Sequence, residues 1–451
     1  MPELFLLRHA KARRPRADQA DHQRPLRRRG RRQAAAMAPA LARCQALAGE
    51  VHVSGARRCV QTLEAVDAAL AGEDLMARAR LDEALYTFEG QALLAWLRGL
   101  PDDLERVLLI GHNPALLQLA RWLCREALAA LPTGGLLHLH LPGDGWQGAS
   151  RHGAALVQRL LPAEASHALF QRRAPAAPEL GNADLASRLH GLLHHQRRLV
   201  RAREPGVIAG IDPEFLHQYR VNLRRSRALG EALAAVAEVP GLKKRLKRIK
   251  RRAQATSELR DLDVFLENLA KEPPPLSQGG RQALHDWLLA RREERHLVLC
   301  RQLAEREYAK ERADWRDFLE GRPFRRALDE VKASRVEAVL AERLARHDAD
   351  LAALASESPD EAFHDLRKGV KRIRYLAELD PGRHRDLLRR LKGRQNLLGD
   401  FQDLCTRQAW VVAFSGDLPE QAEACRAWRE SLEQAKRALR EQVMALPSLS
   451  R

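Results

Sequence analysis

Up to Pro162 the chain alternates short apolar runs with longer amphipathic stretches: residues 4–7, a basic helical stretch over about 28–48, then 51–54, 107–110, a helix from Pro114, and finally 136–141 and 155–161. Strands alternating with helices predict an α/β layered domain, a mostly parallel sheet with helices on both faces. After Pro162 this rhythm stops. Residues 172–182 (RRAPAAPELGN) are rich in Pro, Ala and Gly and have no apolar period, so a linker is expected over 163–183. From Asp184 onward apolar residues recur at spacings of three and four with few β-branched runs, which predicts an all-α region over 184–445. Helix breaks are expected at Pro205 and Gly206, at Pro240 and Gly241, over 273–275, and at Pro381 and Gly382.

Length agrees with two domains, since 451 residues exceed one ordinary core. The charge adds a direction. Up to Pro162 there are 22 basic against 16 acidic residues, and after it 55 against 43, for a total of +18. Both parts are basic, which points to an anionic partner without saying which anion. The opening MPELFLLRHAKARR places its charges after a short apolar run, the reverse of a signal peptide, and the run is too short to span a bilayer. A cytoplasmic protein with no membrane partner is expected. Cys44, Cys59, Cys124, Cys300, Cys405 and Cys425 are scattered without a Cys-x-x-Cys pair, so the chain predicts neither a zinc ribbon nor a disulfide framework.

The first chemistry sits at predicted strand ends, where open α/β sheets place their ligands. The run over 4–7 leads directly into Arg8 and His9, and the run over 107–110 ends in Gly111-His112-Asn113-Pro114. Between them, Ser54-Gly55-Ala56-Arg57-Arg58-Cys59 follows a short strand and enters a helix, delivering a further guanidinium. Two histidines and two arginines at one crevice suit phosphoryl transfer through a phosphohistidine: an imidazole nitrogen attacks phosphorus while guanidiniums hold the equatorial oxygens. Such chemistry requires no metal, and no cofactor is expected. No ligand spacing recruits His52, His138, His140 or His152, which are read as structural or surface residues.

The stretches LFLLRHAKA, DHQRPLRRRGRRQA, SGARRCVQT, LLIGHNPAL and PTGGLLHLHL stand in order over about residues 3–162. They resemble the histidine phosphatase (phosphoglycerate-mutase-like) superfamily and, within it, the compact SixA-type phosphohistidine phosphatases. The resemblance implies His9 as nucleophile, Arg8 and Arg58 as phosphate clamps with Arg57 the alternative to Arg58, and His112 as the group stabilising the transferring phosphoryl. Glu83 is the candidate proton donor. It also implies a phosphohistidine-bearing protein as substrate.

The helical region repeats itself. His217 is followed by Arg220, Arg224, Arg225 and Arg227, and His364 by Arg367, Lys371, Arg372 and Arg374, at the same offsets of three, seven, eight and ten. Offsets of three, seven and ten share a helical face, so each segment carries one imidazole and three cations in a stripe. Each half also has a later acidic signature, with Asp261 and Asp263 in one and Asp400 and Asp403 in the other. The pattern, over about 184–445, resembles the CHAD domain of two pseudo-symmetric helical bundles. This implies that both stripes bind inorganic polyphosphate, that Lys243, Lys244, Lys247, Arg248, Lys250 and Arg251 extend the surface, and that the aspartates orient arginines rather than bind metal. Association with polyphosphate granules would follow. Only 5% of the residues are aromatic, which favours a phosphate chain over stacked nucleobases. Two alternatives stay open: a polyphosphate-binding adaptor with little turnover, and a small-molecule phosphomonoesterase whose helical region binds nucleic acid.

Overall fold

The computed structural model describes residues 1–450 except 16, 71, 73, 144 and 182. The apolar runs of the first region become strands β1 (Glu3–Arg8), β2 (Glu50–Ser54), β4 (Arg106–Gly111), β5 (Leu136–His140) and β6 (Ala155–Leu160), with a short β3 (Arg80–Asp82). They form one sheet in the order β3-β2-β4-β1-β5-β6. The β3-β2, β2-β4 and β4-β1 pairs are parallel, and only β5 runs against its neighbours. Because side chains alternate along a strand, Leu4, Leu6, Val107 and Leu109 enter one core, while Phe5, Leu7, Leu108 and Ile110 enter the other. Helices α1 (Arg28–Arg43) and α2 (Arg57–Asp67) and the one-turn α3 (Leu75–Arg78) cover the second face, and α4 (Gly90–Arg98) and α5 (Ala115–Leu123) cover the first. Burial on both faces explains why β1 and β4 read as unbroken apolar runs.

Three expectations need correction. Helix α1 stops at Arg43 rather than near Ala48, because Gln45 turns into the left-handed region (φ 56°) and the chain must then pass Gly49, where a Cβ would lie 2.1 Å from the Arg106 carbonyl oxygen. The segment expected as linker begins with two helical turns, α6 (Pro162–Ala165) and α7 (His167–Gln171). Asn182, at its end, lies outside the described residues. Finally, no break occurs at Pro205 and Gly206: α8 runs through them from Leu185 to Ala209.

Met1–Ala174 and Pro205–Phe215 together form one compact unit; Pro175–Glu204 and Leu216–Arg451 form the other. In the first, the His167 backbone N–H donates to the Asp212 carboxylate at 2.8 Å and Phe170 packs edge-on to Phe215, with ring centroids 5.4 Å apart. Gly206 is required there, since a Cβ would meet the Phe215 ring at 2.3 Å.

The second unit continues from α8 with α9 (Glu214–Val236), α10 (Leu242–Ala255), α11 (Ser257–Lys271), α12 (Gln278–Ala304), α13 (Arg306–Glu320), α14 (Arg322–Asp329) and α15 (Ala333–Ala352). It closes with α16 (Asp360–Ala377), α17 (Arg385–Asp417) and α18 (Ala422–Met444). The other proline-marked breaks separate α9 from α10, α11 from α12, and α16 from α17. Among the described residues, apolar cores join these helices. One joins Leu233, Leu246, Phe324, Phe363 and Phe401; another joins Phe265, Leu288, Phe414 and Trp428. Each of these cores draws on helices from early and late in the region. No helix among the described residues is long and apolar enough to cross a membrane.

Candidate active site and basic helical face

Strands β1 and β4 are parallel neighbours with Arg8 opposite Gly111, so the residues just beyond them, His9 and His112, arrive side by side. Their ring centroids are 5.4 Å apart and both are buried. Gly134, at φ 75°, donates its N–H to the carbonyls of both Arg8 and His9 and fixes the turn out of β1. Thr62 of α2 accepts the Ala10 N–H and donates to the Arg58 carbonyl, tying the loop that follows β1 to the helix that carries Arg58.

His9 Nδ1 lies 2.8 Å from the Ala10 carbonyl oxygen. A carbonyl only accepts, so Nδ1 carries the proton and the lone pair is on Nε2. Burial, followed by Arg58, Arg8 and Arg24, pushes the His9 pKa down to about 3 despite the Ala10 hydrogen bond. Burial and then Arg58 push His112 down to about 2. Both imidazoles are therefore neutral near pH 7. His112 Nε2 is 2.8 Å from Ser54 Oγ.

Arg8 donates to the Leu131 carbonyl at 2.8 Å, as does the Asn113 side chain at 3.0 Å. Arg58 donates to the Asp21 carbonyl at 2.7 Å and pairs with its carboxylate at 2.9 Å. The same carboxylate accepts from the Tyr86 hydroxyl and pairs with Arg24. The buried Nε–H groups of Arg8, Arg24 and Arg58 have no hydrogen-bond partner among the described residues. Three guanidinium donors around a neutral imidazole can accept a tetrahedral oxyanion.

Of the two adjacent arginines, Arg58 is 1% exposed and in this site, whereas Arg57 is exposed and lines a groove of about 670 Å³ with Arg13, Arg28 and Arg31. Glu83 lies at the rim. Its side chain is 74% exposed, 3.2 Å from His22 Nε2, and seated against Gly55, where a Cβ would come within 1.8 Å of its carboxylate. Sequence reasoning gave no role to Asp21, Arg24, Ser54 or Tyr86. Asp21 and Arg24 lie inside the DHQRPL motif, which was the available signal.

In the second unit, stripe residues of α9 and α16 come within electrostatic reach of one another. Burial and then Arg224, Arg367, Arg220 and Arg227 push the Lys371 ammonium down to about 7. Arg220 is anchored by the Ala253 carbonyl and the Ser257 hydroxyl, each at 2.7 Å. Arg367 has a buried Nε–H with no partner among the described residues. His364 Nδ1 is 2.6 Å from Gln402 Oε1, and His217 is half-buried on α9.

Not every cation of the repeat joins the cluster. Arg225 and Arg372 are exposed, each turned about 100° from the preceding stripe residue. Arg227, although within the field of Lys371, pairs with Glu231 at 3.1 Å, and Arg374 pairs with Glu378 at 2.7 Å. On α10, Arg248 and Arg251 are tied to Asp314 and Glu311, leaving Lys243, Lys244, Lys247 and Lys250 exposed. Asp261 sits within the field of Arg220 and Arg367, and Asp403 within that of Arg367, although burial holds both carboxyls above the usual range; Asp263 pairs with Arg292 at 2.7 Å, and Asp400 is exposed. Arg260 acts on both Arg220 and Asp261 and belongs to the cluster, which its position in an acidic signature concealed.

Comparison with known proteins gives two family matches: residues 4–124 match the histidine phosphatase superfamily (branch 1), and residues 191–412 match the CHAD domain. Among solved structures, SixA from Agrobacterium tumefaciens is 25% identical, covering 36% of this chain and 99% of its own, with a TM-score of 0.30. The protein histidine phosphatase SixA complexed with tungstate is 24% identical, covering 36% and 99%, with a TM-score of 0.31. The CHAD domain from the plant Ricinus communis is 24% identical, covering 61% and 96%, with a TM-score of 0.50. No curated protein matches.

Proposed function

We propose that this chain, whose residues 4–124 match the histidine phosphatase superfamily and residues 191–412 the CHAD domain, is a phosphohistidine phosphatase working through phospho-His9 and tethered to a module that holds inorganic polyphosphate. The observation that carries the catalytic half is His9 itself, neutral, with Nδ1 donating to Ala10 and Nε2 left to attack beside Arg8, Arg24 and Arg58. Attack forms an Nε2–P bond and breaks the substrate's P–N bond, and the departing imidazole nitrogen takes a proton. Water then attacks phosphorus, releasing inorganic phosphate and restoring His9. Arg8 and Arg58 hold the equatorial oxygens as charge builds, and His112 lies on the same side as His9 to stabilise them.

A nitrogen leaving group protonates more readily than an alkoxide, so an exposed acid such as Glu83 suffices for a phosphoramidate. Phosphate release from a phosphohistidine protein is therefore expected to exceed release from a phosphoserine peptide in kcat/KM, and Glu83→Gln to cost less than about tenfold on the former. Equal turnover of the ester would favour the small-molecule phosphomonoesterase instead.

The binding half rests on two stripes of cations within electrostatic reach of one another, with few aromatics to stack bases. Lys371 gives it a pH signature. With a pKa near 7 it is charged below neutrality and loses that charge as pH rises, so polyphosphate affinity should fall by up to about tenfold between pH 7 and 8, with proton uptake on binding. Lys371→Arg should flatten this dependence, and calorimetry in buffers of different ionisation enthalpy measures both effects.

A further inference from the structure

Outside both sites, one cluster has the composition of a metal centre. Glu3 opens β1 and pairs across the sheet with His140, while Phe5 pairs with His138. Residues opposite one another, and two apart along a strand, share a face, so the antiparallel junction of β1 and β5 places one carboxylate and two imidazoles together. Glu3 Oε1 is 2.8 Å from His140 Nε2 and 3.5 Å from His138 Nε2, and one ligand atom from each residue lies within 4.8 Å of the others. A tetrahedral ion with bonds of about 2.0–2.1 Å needs donors roughly 3.3 Å apart, close to this spacing.

The surroundings prepare these donors. His138 is 7% exposed, and its Nε2, 3.5 Å from Glu3 Oε1, is buried with no hydrogen-bond partner among the described residues, an uncommon condition for a buried polar atom. Its ring is stacked on Phe5 at 4.2 Å. Arg106 Nε holds the other Glu3 oxygen at 2.5 Å, leaving Oε1 directed at the imidazoles, as outer partners of a ligating carboxylate do. The His140 side chain is 39% exposed and gives an ion a route in.

We propose that Glu3, His138 and His140 bind a zinc-class divalent cation. Two nitrogens and one carboxylate oxygen suit zinc or cobalt over calcium or magnesium, with water completing the shell. The site opens β1 while His9 follows its end, about 20 Å away at 3.3 Å per residue, so the ion clasps β5 to β1 and takes no part in phosphoryl transfer.

The test uses the full chain freed of metal by chelation and titrated with zinc against a competing chelator. One equivalent should bind to wild type and raise its melting midpoint by several degrees. Affinity should fall by about 100-fold or more in His140→Gln and in Glu3→Gln, with folding of each checked by circular dichroism and phosphatase activity unchanged. His195→Gln, which alters a histidine elsewhere, should bind as wild type does. Cobalt should give the visible absorption of a four-coordinate ion in wild type and not in Glu3→Gln. No stoichiometric binding, or binding indifferent to both substitutions, would overturn the proposal.

Discussion

Replacing His9 with Ala is expected to lower kcat for phosphohistidine hydrolysis by about 10⁴-fold or more, roughly 5 kcal/mol of transition-state stabilisation, because the covalent step loses its nucleophile. His112 is a poor substitute, since its Nε2 is engaged by Ser54. Wild type quenched during turnover should carry an acid-labile phosphate that the variant lacks. The pH profile supplies an independent check. An ordinary histidine of pKa 6.5 would lose about thirtyfold of its neutral form by pH 5, whereas His9, pushed down to about 3, stays unprotonated throughout. The nucleophile should thus impose no acid limb on kcat/KM between pH 8 and 5. Retained turnover in the variant would leave the chain as a polyphosphate-binding adaptor.

The second large effect is on polyanion binding. Changing Arg224 and Lys371 together to Ala should weaken binding of long-chain polyphosphate on the order of 100-fold, since each removes a charge-assisted contact from a half-buried position. The slope of log affinity against log salt should become shallower by up to about two. Changing Arg225 and Arg372 removes two cations from exposed, off-face positions and should cost less than about threefold. Fluorescence titration at several salt concentrations separates the two pairs. Equal losses would mean that diffuse charge, rather than a shaped site, does the binding.

Local pattern carried much of this architecture. The runs forming β1 and β4 are buried on both faces, so they stand out in sequence, and His9 and His112 were readable because they directly follow them. Offsets of three and seven sufficed to place Arg220, Arg224, Arg367 and Lys371 on helical faces. Legibility failed wherever packing between distant segments decides. Arg24 and Asp21 lie between β1 and α1 with no apolar period around them, and they reach Arg58 only through the fold. Glu3, His138 and His140 meet through strand register, which no local spacing encodes. Pro205 interrupts the backbone hydrogen-bond ladder, yet α8 continues past it. There tertiary packing, with Phe215 against Gly206, outweighs the local signal.

That passage of α8 through Pro205 bears on how the two regions can be taken apart or recombined. The first compact unit is discontinuous along the chain: it includes Pro205–Phe215, a segment covalently flanked on both sides by residues of the helical unit. A single cut in the proline-rich segment would leave Phe170 without Phe215 and the His167 amide without Asp212. Swapping the helical region for another at that seam would carry off part of the first unit's own packing, so the modular seam in the sequence and the one in the packing fall at different residues.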